Sequence, residues 1–185
     1  MGKYFLESER VGLRRFLEAD RDLFAQMNAD PDVMEFFPAK LSRLESDAMF
    51  ERINNGIQDH GYGLWAAIEK STDSFMGFVG LQDIRFEAEF APAVEIGWRL
   101  AKSYWGRGLA TESAMRCLEF AFCEAKLTEV VSMTAMLNEK SFRVMERIGM
   151  SRSEEFEHPM VPDGHRLKRH FLYRISQQQF HKMNQ

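Results

Sequence analysis

Gly106 and Gly108 lie where an alternating apolar segment gives way to a helical one, in the run Arg99-Leu-Ala-Lys-Ser-Tyr-Trp-Gly-Arg-Gly-Leu-Ala-Thr-Glu-Ser113. A strand that enters a glycine-bearing turn and then opens a helix has the chemistry of an anion site. The first N–H groups of a helix lack internal partners, and the helix dipole adds partial positive charge there. Two residues without side chains let the main chain approach a phosphate closely, and Arg107 adds a charge at the rim. A diphosphate suits this arrangement. Other nucleotide loops fit worse. No Gly-Lys-Ser/Thr is present, which excludes a Walker A loop, and Gly106-Arg-Gly-Leu-Ala-Thr111 lacks the third glycine of a dinucleotide fingerprint. On spacing alone, the glycine pair reads equally well as a tight strand-to-helix turn.

Other reactive residue types carry weaker patterns. His158, His165 and His170 match no common metal-ligand spacing, and two of them flank a turn, so polar contacts within a hairpin are expected and no metal. Arg166, Lys168 and Arg169 beside them read as a solvated strand face rather than a phosphate site. Cys117 and Cys123 share one apolar helical stretch at neither redox-pair nor zinc spacing, and are expected to be free buried thiols.

The elements that must position the glycine loop follow from periodicity. Val94, Ile96, Trp98 and Leu100 alternate with Glu95, Gly97 and Arg99, which predicts a strand over 94–100 with one apolar face. Ala110, Ala114, Leu118, Ala121 and Ala125 form a small-residue stripe on a helix over 109–125, able to lie close on a sheet. Residues 129–137 predict a largely buried strand. Asn138 caps a helix over 139–148 that Gly149 stops. Upstream, the patterns predict a strand over 10–16, a helix over 18–30 and strands over 64–69 and 75–84. A helix over 42–58 is opened by the capping box of Ser42 and Glu45. Residues 86–92 read as an exposed hairpin turn. Strands over 152–158 and 167–175 form a final hairpin around Pro162-Asp163-Gly164. This order predicts an α+β fold in three layers, a mixed and mostly antiparallel central sheet flanked by helices, within one domain over 1–185.

Composition narrows the function classes. With 24 Lys and Arg against 28 Asp and Glu, the net charge is -4. That argues against a nucleic-acid partner held through phosphates and would not repel a cationic amine. No apolar run approaches the ~20 residues of a membrane span, and the N-terminal residues lack the apolar core of a signal peptide. A cytoplasmic protein without a membrane partner is expected.

Read with its neighbours, Trp105-Gly-Arg-Gly-Leu-Ala-Thr-Glu112 resembles the acetyl-CoA loop of the GNAT N-acetyltransferases, whose pattern is Arg/Gln-x-x-Gly-x-Gly/Ala. Gly108 and Ala110 match its last two positions. Trp105 replaces the first, as it does in the RimJ/RimL-like branch of ribosomal-protein N-acetyltransferases. Glu95-Ile-Gly-Trp-Arg-Leu100 is similar to that branch's fourth strand. Asn138-Glu-Lys-Ser141 with Glu146 and Gly149 is similar to its Asn-x-x-Ser…Glu-x-x-Gly-Phe helix, with Met150 in place of Phe. The matches span about residues 13 to 173, in order.

The resemblance implies a GNAT fold and acetyl transfer from acetyl-CoA to a primary amine by direct attack in a ternary complex. It further implies that the pyrophosphate lies on Trp105, Gly106, Arg107, Gly108, Leu109, Ala110 and Thr111. A splayed strand would offer main-chain groups of Trp98, Arg99 and Leu100 to the pantetheine, which Asn138 also touches. Glu95 would act as general base through water, against its reading as a surface or ion-paired carboxylate. Ser141 would protonate the departing thiolate, against its reading as ordinary helix-terminal hydrogen bonding. The acceptor is either a protein N-terminus or a small molecule, since an α-amine near pKa ~8 is more nucleophilic at neutral pH than lysine near ~10.4. Phe36, Phe37 and Pro38 are expected on the acceptor side, and a homodimer is implied. The competing class is a non-catalytic acyl-CoA-binding or sensing module.

Overall fold

The computed structural model describes residues 2–183; the domain expected over 1–185 includes Met1, Asn184 and Gln185, which lie outside the described residues. The strands are β1 (Leu6–Glu7), β2 (Val11–Arg14), β3 (Leu64–Glu69), β4 (Ser74–Asp83), β5 (Val94–Leu100), β6 (Glu129–Ala135), β7 (Ser151–Glu157) and β8 (Arg169–Ser176). The helices are α1 (Arg21–Ala29), α2 (Arg43–His60), α3 (Leu109–Cys123), α4 (Glu139–Arg147) and α5 (Gln177–Met183). One sheet holds all eight strands in the order β1-β2-β3-β4-β5-β6-β8-β7. Every pairing is antiparallel except β5 with β6. This is the mixed, mostly antiparallel, helix-flanked sheet that the sequence predicts.

Helices cover both faces of the sheet, so its middle strands are apolar on both sides. In β3, Trp65 and Ala67 join the core beneath α3, α4 and α5, while Leu64, Ala66 and Ile68 join Phe24 of α1 and Phe50 of α2. β4 changes sides partway. Phe75 and Phe78 face α1 and α2, whereas Met76, Val79 and Leu81 face the other way. An irregularity in the pairing with β3, between Ala67 and Ile68, accompanies a φ of 140° at Gly77. A Cβ there would stand 2.1 Å from the Arg99 carbonyl, so glycine permits the close passage of β5.

The departures from the expected boundaries have local causes. The strand predicted over 10–16 is β2 and ends at Arg14, and residues 18–20 form a 3₁₀ turn before α1 starts at Arg21. Asp20 anchors that turn by accepting from the Leu17 N–H at 2.8 Å and from Arg14 at 2.6 Å. The two-residue β1 and the short α5 escape periodicity; α5 is held by Phe180 packing on Phe122 at 5.2 Å. Cys117 is buried as expected, but Cys123 is exposed on the last turn of α3. The 86–92 segment is not simply an exposed turn. Phe86 packs on His158 at 4.6 Å and Phe90 on Phe156 at 4.9 Å, which half-buries two aromatic rings and lays the segment over β7. No helix among the described residues is long and apolar enough to cross a membrane.

Candidate active site

β5 and β6 run in parallel but share a single bridge, Glu95 with Val131. Their other edges are fully laddered, β5 on β4 and β6 on β8. Ser132 braces the vertex, its hydroxyl donating to the Ile96 carbonyl at 2.8 Å. Past that point the two strands diverge, and their facing main-chain groups need partners other than each other. Gly97 to Leu100 on one arm and Met133 to Ala135 on the other line a cleft of about 1010 Å³, at the upper end of the roughly 300–1,000 Å³ typical of ligand sites.

The glycine loop closes the wide end of this wedge. Gly106 and Gly108 have φ of 73° and 78°, and α3 starts directly after Gly108 with no side chain capping it. The first N–H groups of α3 are therefore open to a ligand. Trp105, the residue that departs from the usual pattern, locks the loop onto β5: its indole N–H donates to the Leu100 carbonyl at 2.8 Å. The Lys140 ammonium lies 4.4 Å from its ring centre. Arg10 holds the other side of the loop, donating to the Arg107 carbonyl at 3.0 Å and pairing with Glu112. The Arg107 side chain turns to Glu69, so its charge is taken up there rather than at the cleft. Trp105, Gly106, Gly108, Leu109, Ala110 and Thr111 all border the cleft, although Leu109 and Leu100 bury their side chains in the core and leave main-chain groups for binding.

Glu95 stands at the narrow end, in the cleft wall. It is half-buried and enters no ion pair among the described residues. Its side chain accepts from the Gln82 amide at 2.9 Å, and burial pushes the carboxyl up to about 7 while Gln82 partly opposes this. Ser141 lies on the first turn of α4, across the cleft mouth. Asn138 does the capping, its side chain accepting from the Ser141 N–H at 3.3 Å and donating to Thr134 at 3.0 Å. The Ser141 hydroxyl is left unengaged by any hydrogen bond among the described residues. An open helix start, a wedge of free main chain and a carboxylate that titrates near neutrality thus lie along one continuous cleft.

A family model described as "Acetyltransferase (GNAT) domain" matches residues 10–151. The chain belongs to the GNAT acetyltransferase family. Among curated proteins it is similar to the uncharacterized protein YkkB of Bacillus subtilis, 30% identical over 150 residues that cover 80% of this chain and 86% of that one. Its fold is similar to the crystal structure of a GNAT-family acetyltransferase from Bacillus anthracis, with a TM-score of 0.78, 24% identity and coverage of 94% of this chain and 98% of that one. It is also similar to a spermidine N-acetyltransferase from Vibrio cholerae in complex with CoA and spermine, with a TM-score of 0.75, 19% identity and coverage of 94% and 99%.

The second compartment of this acetyltransferase's cleft lies toward α1 and α2. Phe36, Phe37 and Pro38, placed by the sequence on the acceptor side, line it. The hairpin loop between β7 and β8 roofs it. Val161 and Leu167 pack with Ala135 and Phe36, and Arg166 donates to the Glu35 carbonyl at 2.8 Å. The basic stretch is satisfied locally, with Lys168 pairing Asp163 and Arg169 pairing Glu155. His158 and His170 lie 4.8 Å apart, tilted at 47°, within an aromatic cluster beside the cleft rather than making only polar contacts. Burial holds His158 neutral, pushing it down to about 4.

Arg99 is the residue whose side chain sequence reasoning left without a role. It enters the cleft from the polar face of β5, donates to the Asn28 side-chain carbonyl at 2.6 Å and lies 4.0 Å from the centre of the Phe37 ring. Burial pushes it down to about 10. The available signal was its alternation with Trp98, which puts it on the face of Glu95.

Proposed function

We propose that this GNAT acetyltransferase moves an acetyl group from acetyl-CoA to a primary amine by direct attack within a ternary complex. The observation that carries the reading is the wedge between β5 and β6, which leads from an uncapped helix start to a carboxyl poised near neutrality. The residues fit such a donor: the α3 N–H groups and glycine loop match a diphosphate, and the β5 main chain over Trp98, Arg99 and Leu100, where it faces the gap and apart from the Leu100 carbonyl that Trp105 occupies, matches an amide-bearing pantetheine arm. Bound there, acetyl-CoA would supply an activated acyl group as a thioester.

In this reading Glu95 accepts the amine proton through water, so that the nitrogen presents a lone pair as the new C–N bond forms. A main-chain N–H of the splayed strand steadies the developing oxyanion. As the C–S bond breaks, the Ser141 hydroxyl donates a proton to the sulfur and regains one from water, to which Glu95 returns the amine proton. A thiol of pKa near ~8.5 is already a tolerable leaving group, so Ser141 assists rather than enables. Asn138 orients Ser141 by fixing the first turn of α4. The Trp105-Gly-Arg-Gly sequence favours the RimJ/RimL-like branch, and with it a protein N-terminus or a small amine as acceptor. The spermidine N-acetyltransferase of similar fold supports the small-amine alternative.

The test is thiol release from acetyl-CoA across a panel of amines, with products identified by mass. Amine-dependent release that falls in Glu95→Gln supports the assignment. Tight CoA binding with no product from any amine would instead mark a non-catalytic binding module.

A further inference from the structure

Arg99 is a charged side chain set into the acceptor compartment without a counter-charge. Its contacts are a neutral amide, Asn28 at 2.6 Å, and the faces of Phe37 at 4.0 Å and Phe78 at 5.3 Å. It takes part in no ion pair among the described residues, and its Nε is buried without a hydrogen-bond partner. Arg14, a comparably buried arginine, shows the ordinary solution: Asp20 closes it through two hydrogen bonds at 2.6 and 2.9 Å. A half-buried guanidinium whose Nε is shut off from water and which has no carboxylate is costly, and the fold retains it in the wall of a cleft.

None of the acids that line this compartment pairs with Arg99 among the described residues. Asp32 pairs with Lys102 at 2.5 Å, Asp83 accepts from Tyr62 at 2.7 Å, and Glu95 is held by Gln82 at 2.9 Å. At the mouth, Arg52 and Arg85 are exposed and enter no ion pair among the described residues. The acceptor compartment therefore offers guanidinium groups in excess of free carboxylates. A polycationic amine is poorly matched to it.

We propose that the acceptor is a primary amine that also carries a carboxylate, and that Arg99 binds this carboxylate through its planar fork while the amine lies toward Glu95. Arg99 and Glu95 stand four residues apart on one face of β5, their Cα atoms roughly 13 Å apart at ~3.3 Å per residue. Even with a long arginine closing part of that span, a spacer between amine and carboxylate fits best. The inference rests on the acetyl-transfer reading and names the substrate class for it. Arg99 then acts as a specificity residue, not a catalytic one.

The experiment compares kcat/KM, by thiol release at pH 8.5, for matched pairs from glycine with ethylamine up to 6-aminohexanoate with hexylamine, with spermidine as the polycation. The longer carboxylate-bearing members should be preferred over their partners by about tenfold to a hundredfold, the worth of a charge-assisted hydrogen bond. In Arg99→Gln that preference ratio should fall at least tenfold, and Arg99→Lys, which keeps the charge without the fork, should retain part of it. Equal rates within pairs, a preference for spermidine, or an Arg99→Gln variant that slows both members of a pair equally would overturn the proposal. A second measurement covers the case in which no amine turns over, which would sink the acetyl-transfer reading. With CoA bound, N-acetyl-6-aminohexanoate should then raise Tm in the wild type and not in Arg99→Gln, while N-hexylacetamide does not. No difference between the two ligands would overturn the carboxylate assignment by itself.

Discussion

Replacing Glu95 by Gln should make the protein more stable and less active, the stability gain growing from pH 4.5 to about 7 and the loss of activity setting in near 7. The carboxyl is raised from 4.5 to about 7 by burial, with Gln82 its single side-chain hydrogen-bond donor among the described residues. A group whose folded pKa lies above its unfolded value favours folding below the unfolded pKa, and that contribution is lost as pH rises through the folded one. At about 1.4 kcal/mol per pH unit, ionising Glu95 in place costs about 3 kcal/mol at pH 8 and almost nothing at pH 4. A glutamine at this position can still accept from Gln82 and never ionises. Thermal denaturation should therefore show equal Tm for wild type and Glu95→Gln near pH 4. The variant should gain roughly 6–12 °C by pH 8, taking ~2–4 °C per kcal/mol for a chain of this size.

Activity should move the other way. Under saturating substrates, kcat of the wild type should rise with pH through about 7 if, as proposed, the ionised form is the proton acceptor. Glu95→Gln should lose roughly 100-fold at pH 8, and the inflection near 7 should vanish from its profile. Two results would refute the reasoning. A variant less stable than wild type at pH 8 would mean that the carboxylate is compensated by contacts beyond Gln82. A variant with full activity and an unchanged pH profile would remove Glu95 from the chemistry and leave its raised pKa as a consequence of burial alone.

The remaining expectations concern the loop, the thiolate side and the aromatic cluster. Gly108→Val places a β-branched side chain at a φ of 78° beside the guanidinium of Arg10, at a strain of roughly 1–2 kcal/mol. It should weaken CoA binding by calorimetry at least tenfold, and unchanged affinity would refute the pyrophosphate assignment. Ser141→Ala should lower kcat by less than about tenfold with CoA affinity retained, since the leaving thiolate is only weakly basic. Asn138→Ala should lose about 1 kcal/mol of helix capping, visible as a Tm drop of roughly 2–4 °C. His158, depressed from 6.5 to about 4, makes the wild type lose stability as pH falls through that window. His158→Phe should flatten that slope in acid denaturation, and parallel slopes would show that its neutrality is not linked to folding.

What the sequence made legible tracks what is local. Periodicity placed β3 and β5 at their observed bounds, because each alternates or runs apolar within a single element. The Ser42–Glu45 capping box and the start of α3 after Gly108 likewise depend on neighbours a few residues away. The short β1 and α5 were missed because they are held by tertiary partners, as Phe180 is by Phe122. Cys123 was misplaced because the apolar stretch it ends loses its cover on the last turn of α3.

The site divides along the same line. The open helix start and Asn138 could be placed from spacing, since each depends on a single helix terminus. The properties of Glu95 and Arg99 could not, because neither is set by its own strand. Glu95 titrates near neutrality through its burial in the cleft wall, with Gln82 of β4 opposing it; Arg99 is left unpaired by Asn28 of α1 and by Phe37 in the loop before α2. A sequence pattern states which residue types share a face of β5. Whether a carboxylate reaches that face from another element depends on the packing of α1, α2 and the β7–β8 loop around the cleft. At Glu95 and Arg99 it leaves one acid without a base and one base without an acid, on the same strand and facing the same compartment. An amine and a carboxylate carried by one acceptor would complete both.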